Sequence, residues 1–302
     1  MNEVILHHYA ISPFSEKVRR VLAYKEIPWR AVEQPMMAPK PDLIPLTGGY
    51  RRIPVMQIGA DVYCDTALII RRLETLFPDR PVLPAVNGGL ATIIEDWADH
   101  RVFMHAVPPV VSALADALPN GFFEDRGAMT PGFDKEALIA SAPLALEQTK
   151  HDLNYLEDQL RGGVFLLGDT FSVADAACFH VVNFLLNDPT NEALLSSRPA
   201  VGAWLTRIRE FGDGDVQALS AEDALAIARD AAPTDIEGES VSAIGYTIGD
   251  EVTIVADDYG VETSIGEVTR ILENEIVINR HDDIVGNVAV HYPRAGYRVS
   301  VV

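Results

Sequence analysis

The feature that most restricts the fold is a short apolar strand that runs almost directly into a helix start. Residues 4–9 read as the strand, and Ser12-Pro13-Phe14-Ser15 follows. Behind it, Phe14, Val18, Val21 and Leu22 recur at helical spacing. Ser12 suits the N-cap and Pro13 the first helical position. A hydroxyl thereby sits at the positive end of a helix, where free backbone N–H groups favour an anion such as a thiolate. Viewed alone, Ser-Pro at a helix start is ordinary capping.

Further along, Arg51-Arg52-Ile53-Pro54 leads into a strand over residues 55–58. Gly59-Ala60-Asp61 is a hairpin turn into Val62-Tyr63-Cys64. Asp65-Thr66 then opens a helix with Ile69, Ile70, Leu73, Leu76 and Phe77 on its apolar face. Pro54 stands at the mouth of a strand, where proline is tolerated. It is a candidate for a cis bond that turns the backbone toward a ligand, although a trans strand-entry proline fits the same position.

Order and spacing resemble the glutathione S-transferase superfamily. The resemblance rests on Ser12-Pro13-Phe14-Ser15, Ile53-Pro54, Asp65-Thr66, and the segment from Gly168 through Ser172 to Asp175. It implies a thioredoxin-like domain at 1–83 and an all-α domain at 88–232. Physically, Ser172 and Asp175 have the spacing of a capping box. Within the helical part, Leu90, Ile93, Ile94, Trp97, Arg101 and Met104 trace a helix that Pro108-Pro109 is expected to kink or end. Residues 119–132 read as a polar loop. Further helices are expected near 135–160, 172–186, 199–211 and 221–231.

After residues 233–239 the apolar period changes from 3.6 to 2. Val252 and Ile254, then Ile265, Val268 and Ile271, then Ile276 and Ile278, then Val288, Val290 and Tyr292, then Tyr297, Val299 and Val301 alternate with polar residues. Turns recur at Asp257-Asp258-Tyr259-Gly260, Glu273-Asn274, Asp282-Asp283 and Arg294-Ala295-Gly296. Five short strands at this spacing predict a small all-β barrel over 240–302, similar to a Src-homology-3 barrel. It is expected to be a peripheral packing or dimer-covering module, so that removing it leaves thiolate formation intact.

The chain has 302 residues and a net charge of −20. That charge argues against nucleic acid and against anionic membrane surfaces as partners. No apolar run is long enough to span a bilayer. The first residues lack the basic-then-apolar pattern of a secretion signal. Cys64 and Cys178 are isolated and fit free thiols in a cytoplasmic protein. His7 and His8 are adjacent on a strand, face opposite ways and cannot share a metal; no metal site is expected.

The resemblance implies that glutathione is the co-substrate. It would lie extended along the strand after Pro54, pairing with the backbone of Ile53. Its γ-glutamyl carboxylate would meet the Thr66 hydroxyl, its amine Asp65, and its glycyl carboxylate Arg51 or Arg52, with Phe14 beside it. Asp65 is shorter than the Glu or Gln usual in the family. Ser12 would donate to the sulfur, with Tyr9 as the alternative donor and Ser15 as a packing residue. Lowering a thiol pKa by about 2 units from ~8.5 needs about 2.7 kcal/mol, the order of one charge-assisted hydrogen bond plus a helix end. Ile11, Trp97, Arg101 and Met104 would line the pocket of a small hydrophobic electrophile, with Phe103 and His105 nearby. Trp97 and Met104 are equally well explained by core packing.

Transfer of an alkyl or aryl group to glutathione, in a detoxifying homodimer, is the activity the resemblance implies. A glutathione-dependent isomerase or dehalogenase is the alternative within the same chemistry. A non-catalytic glutathione-binding scaffold whose barrel binds a protein partner is the alternative outside it.

Overall fold

A computed structural model describes residues 3–130, 132–235, 238–260 and 262–302. Seven elements build the expected α/β start: β1 (Val4–His8), α1 (Pro13–Tyr24), β2 (Trp29–Glu33), the short α2 (Ile44–Thr47), β3 (Val55–Ile58), β4 (Asp61–Cys64) and α3 (Thr66–Leu76). β1 runs parallel to β2 and antiparallel to β3, and β3 antiparallel to β4. Strand alternation sorts the side chains. Leu6, Met56 and Tyr63 enter the core under α1 and α3, while Val55, Val62 and Cys64 enter a second core on the other face.

The helical part follows as α4 (Gly88–Asp96), a π-helical turn (Trp97–Val102), α5 (Phe103–Ala113), α6 (Phe122–Met129), α7 (Lys135–Leu160), α8 (Val173–Leu185), α9 (Glu192–Ser196) and α10 (Pro199–Arg209). Pro108 and Pro109 lie inside α5 and do not end it. A proline at 109 leaves the His105 carbonyl without its helical donor. The Thr149 hydroxyl of α7 donates to that carbonyl at 3.1 Å. Residues 119–132 hold a helix, α6, that the polar composition hid. The Asp175 carboxylate is buried at the start of α8, accepting from Ser172 N and Oγ, Leu166 N and Trp204 Nε1.

Two segments leave the helical part and return to the sheet. β5 (Val216–Ala218) pairs parallel with β2, and α11 (Ala221–Arg229) packs Ala224 against Ile5 and Val32. Residues 216–229 thus belong with the first domain and not, as expected, with the helices.

The C-terminal strands are β6 (Glu251–Ala256), β7 (Ser264–Ile271), β8 (Glu275–Asp282), β9 (Gly286–Pro293) and β10 (Tyr297–Val301). Their order is β10-β6-β7-β8-β9, all antiparallel neighbours. A register shift between Val268 and Arg270 explains why Val268 and Ile271, three apart, both face inward while Ile265 is exposed. These strands are not a separate module. β9 gives its free edge to β4 in parallel, pairing Val62 with Val290, and the result is one ten-stranded sheet. Their core is shared too: Leu43, Leu46, Val55, Val62 and Cys64 pack with Val252, Ile254, Ile276, Val288 and Tyr292. The expected break at residues 233–239 falls partly outside the described residues.

Candidate functional site

Ser12 is the N-cap of α1, and its hydroxyl oxygen accepts from the Ser15 N–H at 3.2 Å. The capping bond uses an oxygen lone pair and leaves the hydroxyl hydrogen free to donate. Ser12 is buried and lines an apolar cavity of about 410 Å³. Tyr9 lines the same cavity; burial raises its phenol pKa, opposed by the Arg126 charge and by hydrogen bonding with Ser12. The Ser15 side chain is fully buried, as a packing residue would be.

A second, polar cavity of about 820 Å³ adjoins the first. Phe14, Arg52, Ile53 and Tyr259 line both. Pro54, Asp65 and Thr66 line the polar one. The Ile53–Pro54 bond is cis. Among the described residues, the Ile53 N–H and C=O pair with no other backbone group, so both are available to an extended peptide.

Asp65 caps α3 with φ at 79°, a conformation L-residues seldom adopt. Its Oδ1 accepts from Ala67 N at 2.9 Å and its Oδ2 from the Tyr297 hydroxyl at 3.1 Å. Burial raises its pKa against the pull of these bonds and of Lys17. Thr66 Oγ1 accepts from Lys17 Nζ at 3.0 Å, which uses a lone pair and leaves the hydroxyl able to donate.

Lys17 had no part in the sequence reading, although it falls on the apolar face of α1. It is fully buried and also donates to Glu95 at 2.7 Å and Asp99 at 2.6 Å. Glu95 lies in the last turn of α4 and Asp99 in the π turn, so the ammonium ties the first domain to the helices beside Thr66. His180 of α8 closes the network on Asp99 at 2.9 Å.

The arginines are already engaged. Arg52 makes a two-pronged pair with Asp258, at 2.5 and 3.3 Å, and lies 3.8 Å under the Tyr259 ring. Arg51 pairs with Asp125 at 2.7 Å and with Glu262. Tyr259, Asp258 and Tyr297 all come from the C-terminal strands and their turns. The expectation that this region is peripheral is therefore corrected: it walls the polar cavity and grips two of the residues assigned to ligand binding.

Of the residues assigned to the electrophile pocket, Ile11 and Met104 line the apolar cavity, as do Phe14 and Phe103. Trp97 and Arg101 lie outside it. Trp97 packs on the main core, and Arg101 is exposed. The π turn is the reason, because its wider turn breaks the 3.6-residue phase that placed them beside Met104. His105 also turns away, onto Asp152 at 2.6 Å. The cavity wall that the sequence hid comes from α5 and α6 (Val107, Val111, Phe122, Arg126, Met129) and from Lys40.

His7 bonds Gln57 and His8 bonds Arg19, on opposite faces of β1. Burial lowers both pKa values to about 4. No cluster of three metal-ligating side chains occurs among the described residues, and no helix among them is long and apolar enough to cross a membrane.

A thioredoxin-like domain, a helical domain, a cis-proline beside a free backbone edge, and a serine-capped helix facing it place this chain in the glutathione S-transferase superfamily. The family's N-terminal domain model matches residues 6–81 and its C-terminal domain model residues 108–207. A glutathione S-transferase-like protein from Pseudomonas syringae is similar over the whole of both chains, with 36% identity and a TM-score of 0.84. The likeness therefore includes the C-terminal strands. Glutathione S-transferase U1 of Arabidopsis thaliana is 23% identical over 178 residues, 58% of this chain and 68% of that one. A glutathione S-transferase structure from Rhodospirillum rubrum shares the fold, with 19% identity and a TM-score of 0.57 over 70% of this chain and 89% of that one.

Proposed function

We propose that this protein is a glutathione transferase that ionises the glutathione thiol at Ser12 and presents it to an electrophile in the apolar cavity. The observation that carries the reading is the state of the Ser12 hydroxyl. The Ser15 N–H takes only a lone pair of its oxygen, so the hydroxyl can still donate, and it faces the apolar cavity beside Phe14 and Ile53, which border both spaces.

The peptide lies extended in the polar cavity. Its cysteinyl backbone pairs with the Ile53 N–H and C=O. Its γ-glutamyl carboxylate accepts from Thr66 and the α3 N-terminus, and its amine meets Asp65. Tyr297 compensates for the short reach of Asp65 by fixing one carboxylate oxygen. The sulfur then rests on the Ser12 hydroxyl at the α1 N-terminus, and the thiol proton leaves to solvent. The thiolate attacks the electrophilic carbon and the electron pair leaves with the displaced group, or a proton is taken up when the substrate is an activated alkene.

A cytoplasmic homodimer is the proposed setting and detoxification the proposed role. The test is an ultraviolet titration of bound glutathione. Wild type should hold the thiol about 2 units below ~8.5, and Ser12→Ala should return it most of the way. An unshifted thiol in bound wild type refutes the reading. Tyr9→Phe should leave the titration near that of wild type.

A further inference from the structure

The two cavities meet where the sulfur crosses, in the transferase reading, from the Ile53 edge to Ser12. Phe14, Arg52, Ile53 and Tyr259 line both spaces there. Three of them come from the first domain. Tyr259 comes from the turn between β6 and β7, outside both matched family domains, and it alone of the four carries a hydroxyl. Its turn is held by both domains. Arg52 pairs with Asp258 and lays its guanidinium 3.8 Å from the centre of the Tyr259 ring. The Gly260 N–H donates to the Met129 carbonyl, at the end of α6, at 2.8 Å. Gly260 has φ at 79°, and a Cβ there would lie 3.0 Å from Arg52 Nε, so glycine lets the turn close on the guanidinium.

Four tyrosines line the two cavities: Tyr9, Tyr50, Tyr259 and Tyr297. Tyr9 hydrogen-bonds with Ser12 and Arg126, and the Tyr297 hydroxyl reaches Asp65 and Tyr50. The Tyr259 hydroxyl bonds to no group among the described residues. The charged and titratable groups around it are Arg52, Asp258, Tyr9 and Asp65. Burial outweighs the Arg52 charge and raises its pKa to about 12, so the phenol is a donor throughout the neutral range. A fixed donor without a partner, on the wall of an apolar cavity, is what a developing oxyanion requires. Ser12 is taken by the sulfur and Tyr9 by its two partners, which leaves Tyr259 to the second reactant.

We propose that Tyr259 is a catalytic residue contributed by the C-terminal strands: its hydroxyl donates to the oxygen of an electrophile whose own carbonyl takes up the negative charge, an α,β-unsaturated aldehyde or ketone. This deepens the transferase reading and rests on it for the thiolate. The sulfur bonds to the β-carbon, the alkene electron pair moves into the bond between the α-carbon and the carbonyl carbon, and the carbonyl pair moves to oxygen. Tyr259 shares its proton with that enolate oxygen and keeps it. The α-carbon then takes a proton from solvent, the counterpart of the one the thiol released. A halide that departs with its electron pair makes no use of this donor, so the site favours addition over displacement.

The test uses the full chain with glutathione and two electrophiles of like length, trans-2-octenal and 1-iodohexane. Tyr259→Phe should lower kcat/KM for the enal about tenfold or more, and leave the iodide within about twofold. The bound thiol should titrate in the variant as in wild type. An equal fall for both electrophiles would show that Tyr259 only shapes the passage and would overturn the inference. So would an unchanged rate with the enal, or a thiol pKa that rises in the variant, which would assign the hydroxyl to sulfur. A second measurement, without glutathione, separates this inference from the transferase reading. It follows the infrared carbonyl stretch of carbon-13-labelled 4-phenylbutan-2-one, an unreactive ketone, bound to the full chain. The band should lie lower in wild type than in Tyr259→Phe, because a hydrogen-bonded carbonyl is the weaker spring. A band at one position in both overturns the Tyr259 assignment whatever the thiol titration gives. A lowered band beside an unshifted thiol counts against the transferase reading alone.

Discussion

At the scale of single residues, capping and catalysis at Ser12 are compatible. A hydroxyl has two lone pairs and one hydrogen, and the cap consumes only a lone pair. Ser12→Ala should therefore have two separable effects: loss of thiolate stabilisation, and about 1 kcal/mol of stability from the lost cap. Lys17 shows the same economy. It is the partner of two buried carboxylates and also orients the Thr66 hydroxyl. Lys17→Met would strand Glu95 and Asp99 in the interior. The expected loss is about 3–5 kcal/mol, read from urea midpoints, because a buried charge without its partner is not resolvated. A loss below about 1 kcal/mol would mean that water reaches the two carboxylates.

At the scale of elements, the junction between β4 and β9 is the part of this sheet that neither strand's pattern announces. Period-2 alternation identifies both as strands, but alternation is silent about which strand lies beside which. The seam carries a buried His291, bonded to Glu275 at 2.6 Å and to Asp61 at 3.2 Å and stacked 4.2 Å over Tyr63. Burial alone would lower its pKa; the two carboxylates outweigh burial and raise it above 6.5. The folded state thus binds the proton more tightly than the unfolded chain. The resulting stability is fully present below about pH 6.5 and fades as pH rises through the folded value. The stability difference between wild type and His291→Gln, followed by denaturant unfolding across pH 5.5–9, should shrink as pH rises through ~6.5 and above. A difference constant in pH would show that the imidazole is neutral at the seam.

At the scale of the whole molecule, the C-terminal strands are a structural part of the first domain and wall its polar cavity. Removing residues 240–302 would uncover the β4 edge and the apolar face of Val55, Val62 and Cys64. It would also take Tyr297 from Asp65, and Asp258 and Tyr259 from Arg52. The truncated chain should lose its cooperative unfolding at the wild-type Tm and aggregate. In the full chain, Tyr297→Phe tests the ligand side without that disruption, with an expected rise of several-fold in the glutathione KM and little change in kcat. An unchanged KM would mean that Asp65 needs no help.

Much of the architecture was legible because it is local. A strand feeding a capped helix, Ile53-Pro54 at a strand mouth, a Ser172–Asp175 box and the change of apolar period at the C-terminus are all written within a few residues of one another. Ser12, Asp65 and Thr66 could be placed for the same reason, since each caps or opens a helix. The pocket lining was less legible. The wider π-helical turn took Trp97 and Arg101 out of the 3.6-residue phase, and composition disguised α6 as loop. What only tertiary structure decided is the pairing of distant groups: Lys17 with Glu95 and Asp99, Tyr297 with Asp65, Asp258 with Arg52, and β9 with β4. Helix caps and strand periods are set by neighbours along the chain. Ion pairs and sheet edges are set by which surfaces meet once the apolar faces are buried, and sequence distance does not encode that.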